Sequence, residues 1–191
     1  MSAAAPLILA SSSPRRRELM TEEGYTFRVM PPHDDAEPFD PDEPPGAIVA
    51  RLATAKAADV ASRVERGIVI GCDTVAECEG HILNKPNDID DARRMLRLLS
   101  GRQHHVYSGL CVWPVPGNSA EVGVARTTLQ MAELSTAAID EYLATGLWQG
   151  KAGAFGLQDR LEWLAIVEGS ESNVVGLPLE LLAEMLARVT R

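Results

Sequence analysis

Residues Gly67-Ile68-Val69-Ile70-Gly71-Cys72 form a run without a polar side chain, and this run limits the architecture more than any other stretch. It reads as a strand, and a strand apolar at every position lies centrally in a sheet. Its surroundings alternate between helical and extended patterns. Leu7–Ala10 predicts a short buried strand. Ser13 is a good N-cap and Pro14 suits the first helical position, so a helix is expected from there to about Glu23, ended by Gly24. Tyr25–Met30 alternates like a strand. From Gly46, the positions Ile48, Val49, Leu52, Ala53, Ala57 and Val60 recur at helical spacing, predicting a helix to about Arg66. Val75–Cys78 and His81–Leu83 flank Glu79-Gly80 as an expected hairpin.

The second half continues the mixture. Asp88 or Asp90 caps a helix whose apolar face is Ala92, Met95, Leu96 and Leu99, closed by Gly101. Val106–Val115 and Glu121–Leu134 predict long strands around PVPGNS, Ser135 caps a helix to about Thr145, Leu161–Glu168 is strand-like, and Leu179–Val189 is a last amphipathic helix. Crossover and hairpin connections both occur. The fold class is therefore α/β or α+β, built on a twisted mixed sheet with flanking helices.

The chain has 191 residues, enough for one domain or for two small lobes sharing a core. No apolar run approaches the ~18–20 residues of a membrane helix, and Leu7–Ala10 is too short for a signal-peptide core, so a cytoplasmic protein without a membrane partner is expected. Cys72, Cys78 and Cys111 are odd in number and lack zinc spacing, which favours small packing residues over disulfides or metal ligands. The net charge is −9 and no basic stripe runs along the chain, which argues against nucleic-acid binding. An anionic ligand would therefore have to meet locally concentrated positive charge.

Four constellations offer such chemistry. In Ser11-Ser12-Ser13-Pro14-Arg15-Arg16-Arg17 a strand runs straight into a helix, whose free N–H groups and neighbouring guanidiniums suit phosphate. Arginines at a helix N-terminus cost a few tenths of a kcal/mol, which argues mildly for a bound anion against a merely capped surface helix. Residues step by about 100° around a helix, so Arg15 and Arg16 are expected to face the ligand and Arg17 the solvent. Asp73, followed by Thr74 at the expected end of the apolar strand, is placed to hold a divalent metal or take a proton from water, or else to satisfy a turn. Lys56 sits among Ala53, Ala55, Ala57 and Ala58, and a half-buried ammonium there needs an anion or a carboxylate. Lys85, in Asn84-Lys85-Pro86, alone is a loop lysine. Lys151-Ala152-Gly153-Ala154-Phe155-Gly156-Leu157-Gln158 is glycine-rich, suited to close approach of a base or sugar read by the Gln158 amide, or to a tight connection. It matches no Walker A or dinucleotide fingerprint. His104 and His105 are adjacent, so a strand aims them at opposite faces.

Taken in order, LILASSSPRRREL, RLATAKA, VIGCDTV, LNKP, MLRLLSGRQHHVYSGL, KAGAFGLQ and SNVVGLPL resemble the Maf family of nucleoside triphosphate pyrophosphatases over nearly the whole chain. The resemblance implies a single two-lobed α/β domain with a central cleft, like the inosine triphosphatases. It implies hydrolysis of a nucleoside triphosphate to monophosphate and pyrophosphate with a divalent cation (Mg2+, Mn2+ or Co2+), commonly as a homodimer. Asp73 matches the family's proton acceptor; Arg15, Thr74 and Gln158 match positions tied to substrate choice; Ser11, Arg16, Lys56, Lys85 and Lys151 match other cleft positions. An acidic residue of the loop His33-Asp34-Asp35-Ala36-Glu37 is implied as a metal ligand with Asp73, Glu37 being preferred to Asp35. Asp73-Thr74 together with KAGAFG-x-Gln looks like the dTTP/UTP type. Two departures touch the base side: Leu147-Trp148 stand where Glu-Pro is common, and Asp159 where Gly follows Gln. A second reading is a nucleotide-binding regulator of cell division that acts through a protein partner, with Asp34–Glu43 and the arm around Pro116 as contact surfaces.

Overall fold

The computed structural model describes residues 5–33, 43–117, 119–159 and 161–190. They separate into two compact units. The first takes the described residues up to Asp73, residues 108–125 and those from Gly176 onward; the second takes 74–107 and 126–175.

In the first unit, β1 (Leu7–Ala10) leads into α1 (Pro14–Glu22), then β2 (Phe27–Val29), α2 (Pro45–Ala61) and the start of β3 (Gly67–Cys78). β1 pairs in parallel with both β2 and β3, with Ala10 opposite Gly71. Alternate residues of β3 face opposite ways. Ile68, Ile70 and Cys72 pack with Leu9, Met20, Leu182 and Met185, whereas Val69 packs with Ala53, Ala57 and Val60 of α2. Both faces are covered, which is why Gly67–Cys72 carries no polar side chain. The unit is completed by residues 108–115, residues 121–125 and α6 (Leu179–Val189).

The second unit begins within β3. Here the strand continues to Cys78 and pairs antiparallel with β4 (His81–Leu83). Next come α3 (Ile89–Leu99), capped by Asp88, and β5 (Gln103–Val115), which starts in this unit. β6 (Glu121–Met131) enters from the first unit, and α4 (Thr136–Ala144), capped by Ser135, follows it. Two single-turn 3₁₀ segments, β7 (Leu164–Glu168) and the short α5 (Glu171–Val175) complete the unit. Its core joins Met95, Leu96 and Leu99 of α3 to Leu129 and Met131 of β6 and to the aromatic residues Tyr142, Trp148, Phe155 and Trp163. The strand order of the seven-stranded sheet is β2-β1-β3-β5-β6-β7, with β4 paired to β3. The sheet is mixed and flanked by helices, as expected.

Several expected boundaries move. The apolar strand and the following hairpin arm are one strand of 12 residues, because β3 gains β4 as a partner beyond Asp73. The helix from Gly46 stops at Ala61 rather than Arg66, the strand at Tyr25–Met30 shrinks to Phe27–Val29, and residues 161–163 form a 3₁₀ turn before β7. The hairpin strands also shift: the first starts at Gln103, and the second stops at Met131. Among the described residues, no helix is long and apolar enough to cross a membrane. The three cysteines are buried thiols, and burial pushes that of Cys111 up to about 11.

Candidate functional site

At the end of β1 the chain makes a tight polar corner. Ser11 is buried, and its Oγ accepts from the Ser13 N–H at 3.1 Å and from Arg16 Nη1 at 3.3 Å. Ser13 Oγ in turn accepts from the Arg16 N–H and caps α1. Arg16 also donates Nε to the Gly176 carbonyl at 2.8 Å, so its guanidinium is tied to the end of β1 and to the residues before α6. Arg15 and Arg16 are half-buried and Arg17 is exposed, the order expected from the helical step. The Cys72 thiol donates to the same Gly176 carbonyl at 3.3 Å.

Asp73 does not end its strand, contrary to the expectation. It lies inside β3, two residues beyond Gly71, the partner of the last residue of β1. The carboxyl-end position that favours ligands therefore belongs to β1, and β3 carries Asp73 past it. Lys56, half-buried on α2, donates Nζ to Asp73 Oδ1 at 2.7 Å, and the two side chains are 15% and 14% exposed. This is the carboxylate that the alanine-lined lysine needed.

Two glycines bring α2 close enough for that contact. A Cβ at Gly71 would lie 2.2 Å from the Ala53 carbonyl oxygen, and one at Gly109 would lie 2.0 Å from that of Val49. Only hydrogen atoms in the sheet surface leave room for the helix backbone there.

In the second unit, Thr74 follows Asp73 in β3 and is half-buried, and Lys85 is exposed in the loop before α3. That loop is tied to the glycine-rich segment, because the Gly153 N–H donates to the Asn84 carbonyl at 3.2 Å. Gly153 takes φ +70 in the 3₁₀ turn, a conformation that favours glycine. Lys151 donates Nζ to both oxygens of Asp159, and the pair is 14% and 7% exposed. Asp159 Oδ2 also accepts from the Gly156 N–H at 2.9 Å and from the Tyr142 hydroxyl at 2.7 Å. Burial, and then the hydrogen bond to Asp159 and its charge, raise the Tyr142 phenol well above its ordinary range, so it remains a donor. Gln158, between buried Leu157 and Asp159, is exposed.

Ser11 and Arg16 are thus brought together, and so are Lys56 and Asp73. Glu37 and the alternative Asp35 lie outside the described residues. His104 is buried, and burial lowers its pKa to about 4, whereas half-buried His105 meets Thr128 Oγ1 at 3.2 Å. Sequence reasoning singled out neither Tyr142 nor Asn173. Asn173 is buried, and its Nδ2 donates to the Val106 carbonyl at 3.1 Å and to Thr127 Oγ1 at 2.9 Å. Both partners come from distant chain segments, so no local pattern announces them. Asp159 stood out only as a departure from the family pattern.

The model of the family described as Maf-like protein matches residues 6–189. The chain belongs to the Maf family. A dTTP/UTP pyrophosphatase from Rhodopirellula baltica is 51% identical to this Maf-family chain over 94% of the chain and 80% of the relative. One from Moorella thermoacetica is 44% identical over 95% of the chain and 93% of the relative. The Staphylococcus aureus Ham1 protein shares the fold, with a TM-score of 0.54, 13% identity and coverage of 96% and 99% of the two chains.

Proposed function

We propose that this Maf-family chain hydrolyses nucleoside triphosphates, dTTP and UTP among them, to the monophosphate and pyrophosphate. The relatives named dTTP/UTP pyrophosphatase support the reaction class. The observation that carries the chemistry is the Lys56–Asp73 pair, a sequestered carboxylate held by one ammonium beside the carboxyl end of β1. Water attacks the α-phosphorus and the bond from that phosphorus to the bridging oxygen breaks, so that pyrophosphate leaves. Asp73 takes the proton of the attacking water, and Lys56 holds the carboxylate in one orientation. The triphosphate carries about four negative charges, which repel a nucleophile. Arg15, Arg16, Lys56 and the Ser11 corner, with the N-terminus of α1, offset that repulsion and stabilise the leaving group.

A divalent cation such as Mg2+, Mn2+ or Co2+ belongs to the proposed chemistry. Mg2+ usually takes one or two carboxylates plus substrate phosphates and keeps several waters, and Asp73 offers one such carboxylate. Asp73, with Glu37 as second acidic ligand, would hold it. When bound, it supplies charge neutralisation and acidifies water. Arg15, Thr74 and Gln158 are assigned to substrate choice, and Lys85 and Lys151 to the rest of the nucleotide site. The protein works as a homodimer in the cytoplasm, as its resemblance to the family implies.

Purified protein with dTTP and Mg2+ is expected to release pyrophosphate as first product, and Asp73→Asn to lose turnover while keeping the native circular dichroism spectrum. Orthophosphate as first product refutes the reaction class. Full activity of Asp73→Asn refutes the assigned base.

A further inference from the structure

The loop that carries Gln158 is fastened in an unusual way. Three donors converge on the carboxylate of Asp159: the Lys151 ammonium, the Gly156 N–H and the Tyr142 hydroxyl. They come from the start of the loop, its middle and helix α4. The hydroxyl also lies 3.2 Å from the Ala154 carbonyl, a second tie to the same segment. Beneath it, Phe155 stacks on Trp163 at 5.4 Å between ring centroids, and Tyr142 packs at 5.2 and 5.6 Å from the two rings. Leu157 is buried on one side of Gln158 and Asp159 on the other, so the exposed amide is presented from a backbone pinned at both neighbours.

A buried carboxylate with one ammonium, one amide and one phenol is satisfied almost completely, and such a network has one low-energy arrangement. Within it, the Lys151 charge is matched by the carboxylate and helps to hold the loop.

We infer that Asp159, with Lys151 and Tyr142, is a positioning device that fixes Gln158 for reading the nucleobase. This rests on the nucleotide reading above and names the part of it that sets base selectivity. Asp159 touches no substrate; it acts through Gln158. The amide offers a donor pair and an acceptor, and their directions decide which base edge is accepted. Loosening the loop therefore blurs discrimination rather than removing charge from the triphosphate.

The test is a double-mutant cycle in the full-length protein, with Asp159→Asn, Gln158→Ala and the combination. The readout is kcat and KM for dTTP, UTP, dCTP and dATP, together with the affinity of each by equilibrium dialysis. Asp159→Asn keeps the size of the side chain but removes the charge that holds Lys151. Its preference for dTTP over dCTP is expected to fall by at least about tenfold, mostly in KM. Once Gln158 is alanine, Asp159→Asn is expected to change the preference no further, because interacting positions are not additive. Lys151→Arg, which preserves the ion pair, should keep more of the preference than Lys151→Met. A preference unchanged in Asp159→Asn, or an equal loss in both backgrounds, overturns the inference even if the protein melts at a lower temperature. Absence of pyrophosphate release by the wild-type protein would instead refute the reaction, while the dialysis ratios still decide this claim.

Discussion

Replacing Gly71 by alanine tests the claim that helix-to-sheet clearance sets the candidate active site. The new Cβ would stand 2.2 Å from the Ala53 carbonyl oxygen and 2.9 Å from both the Cβ and the N of Ala57. Two of those three neighbours are helix backbone atoms, so no side-chain rotation relieves the contact. Restoring ordinary contact requires α2 to retreat by about 1 Å. Lys56 rides on that helix, and its 2.7 Å bond to Asp73 would stretch beyond hydrogen-bonding range. Overpacking costs about 1–3 kcal/mol, and the lost bond adds about 1 more. For a chain of this size the melting temperature should fall by roughly 5–15 °C. A displacement of about 1 Å at a catalytic group costs about 100-fold in rate, so kcat/KM for pyrophosphate release should fall by that order. Gly46→Ala is the matched control. It lies in α2, its nearest neighbour within 4 Å is Val124 Cγ1 at 3.7 Å, and alanine there should be neutral or stabilising by up to about 1 kcal/mol. Thermal melts and coupled pyrophosphate assays on both variants decide the matter. If Gly71→Ala behaves like Gly46→Ala in both, the proposed role of close packing is wrong.

Two further outcomes are expected. His104 is buried, and burial lowers its pKa from 6.5 to about 4. The unfolded chain therefore binds the proton more readily. The contribution to stability is complete above about pH 6.5 and is lost as pH falls toward 4, amounting to about 3 kcal/mol. Urea denaturation at pH 7, 5.5 and 4 should show this loss, and His104→Leu should flatten that part of the profile; parallel profiles would exclude the assignment. Chelation with EDTA should abolish pyrophosphate release, and excess Mg2+ or Mn2+ should restore it; undiminished turnover in chelator would remove the cation from the proposed chemistry.

Features governed by neighbours in the chain were legible in the residues themselves. Ser13 and Pro14 start α1, Asp88, one of two aspartates offered, caps α3, Ser135 caps α4, and Leu179–Val189 has the bounds that its periodicity predicts. Each depends on capping and spacing within a few residues. The all-apolar Gly67–Cys72 run likewise announced a central strand, and the collinear motifs announced the family. What long-range packing decides was not legible. The Asp73-Thr74 pair interrupts the apolar pattern and looks like a strand end, but pairing with β4 carries β3 on to Cys78. The company of Lys56 called for an anion without saying which, since Asp73 reaches it only because Gly71 and Gly109 let α2 settle against the sheet. The union of Tyr142, Lys151 and Asp159 likewise joins a helix to a loop by side-chain hydrogen bonds. Local propensity is a property of a short window of sequence, whereas a buried charge finds its partner only after distant segments have closed around it.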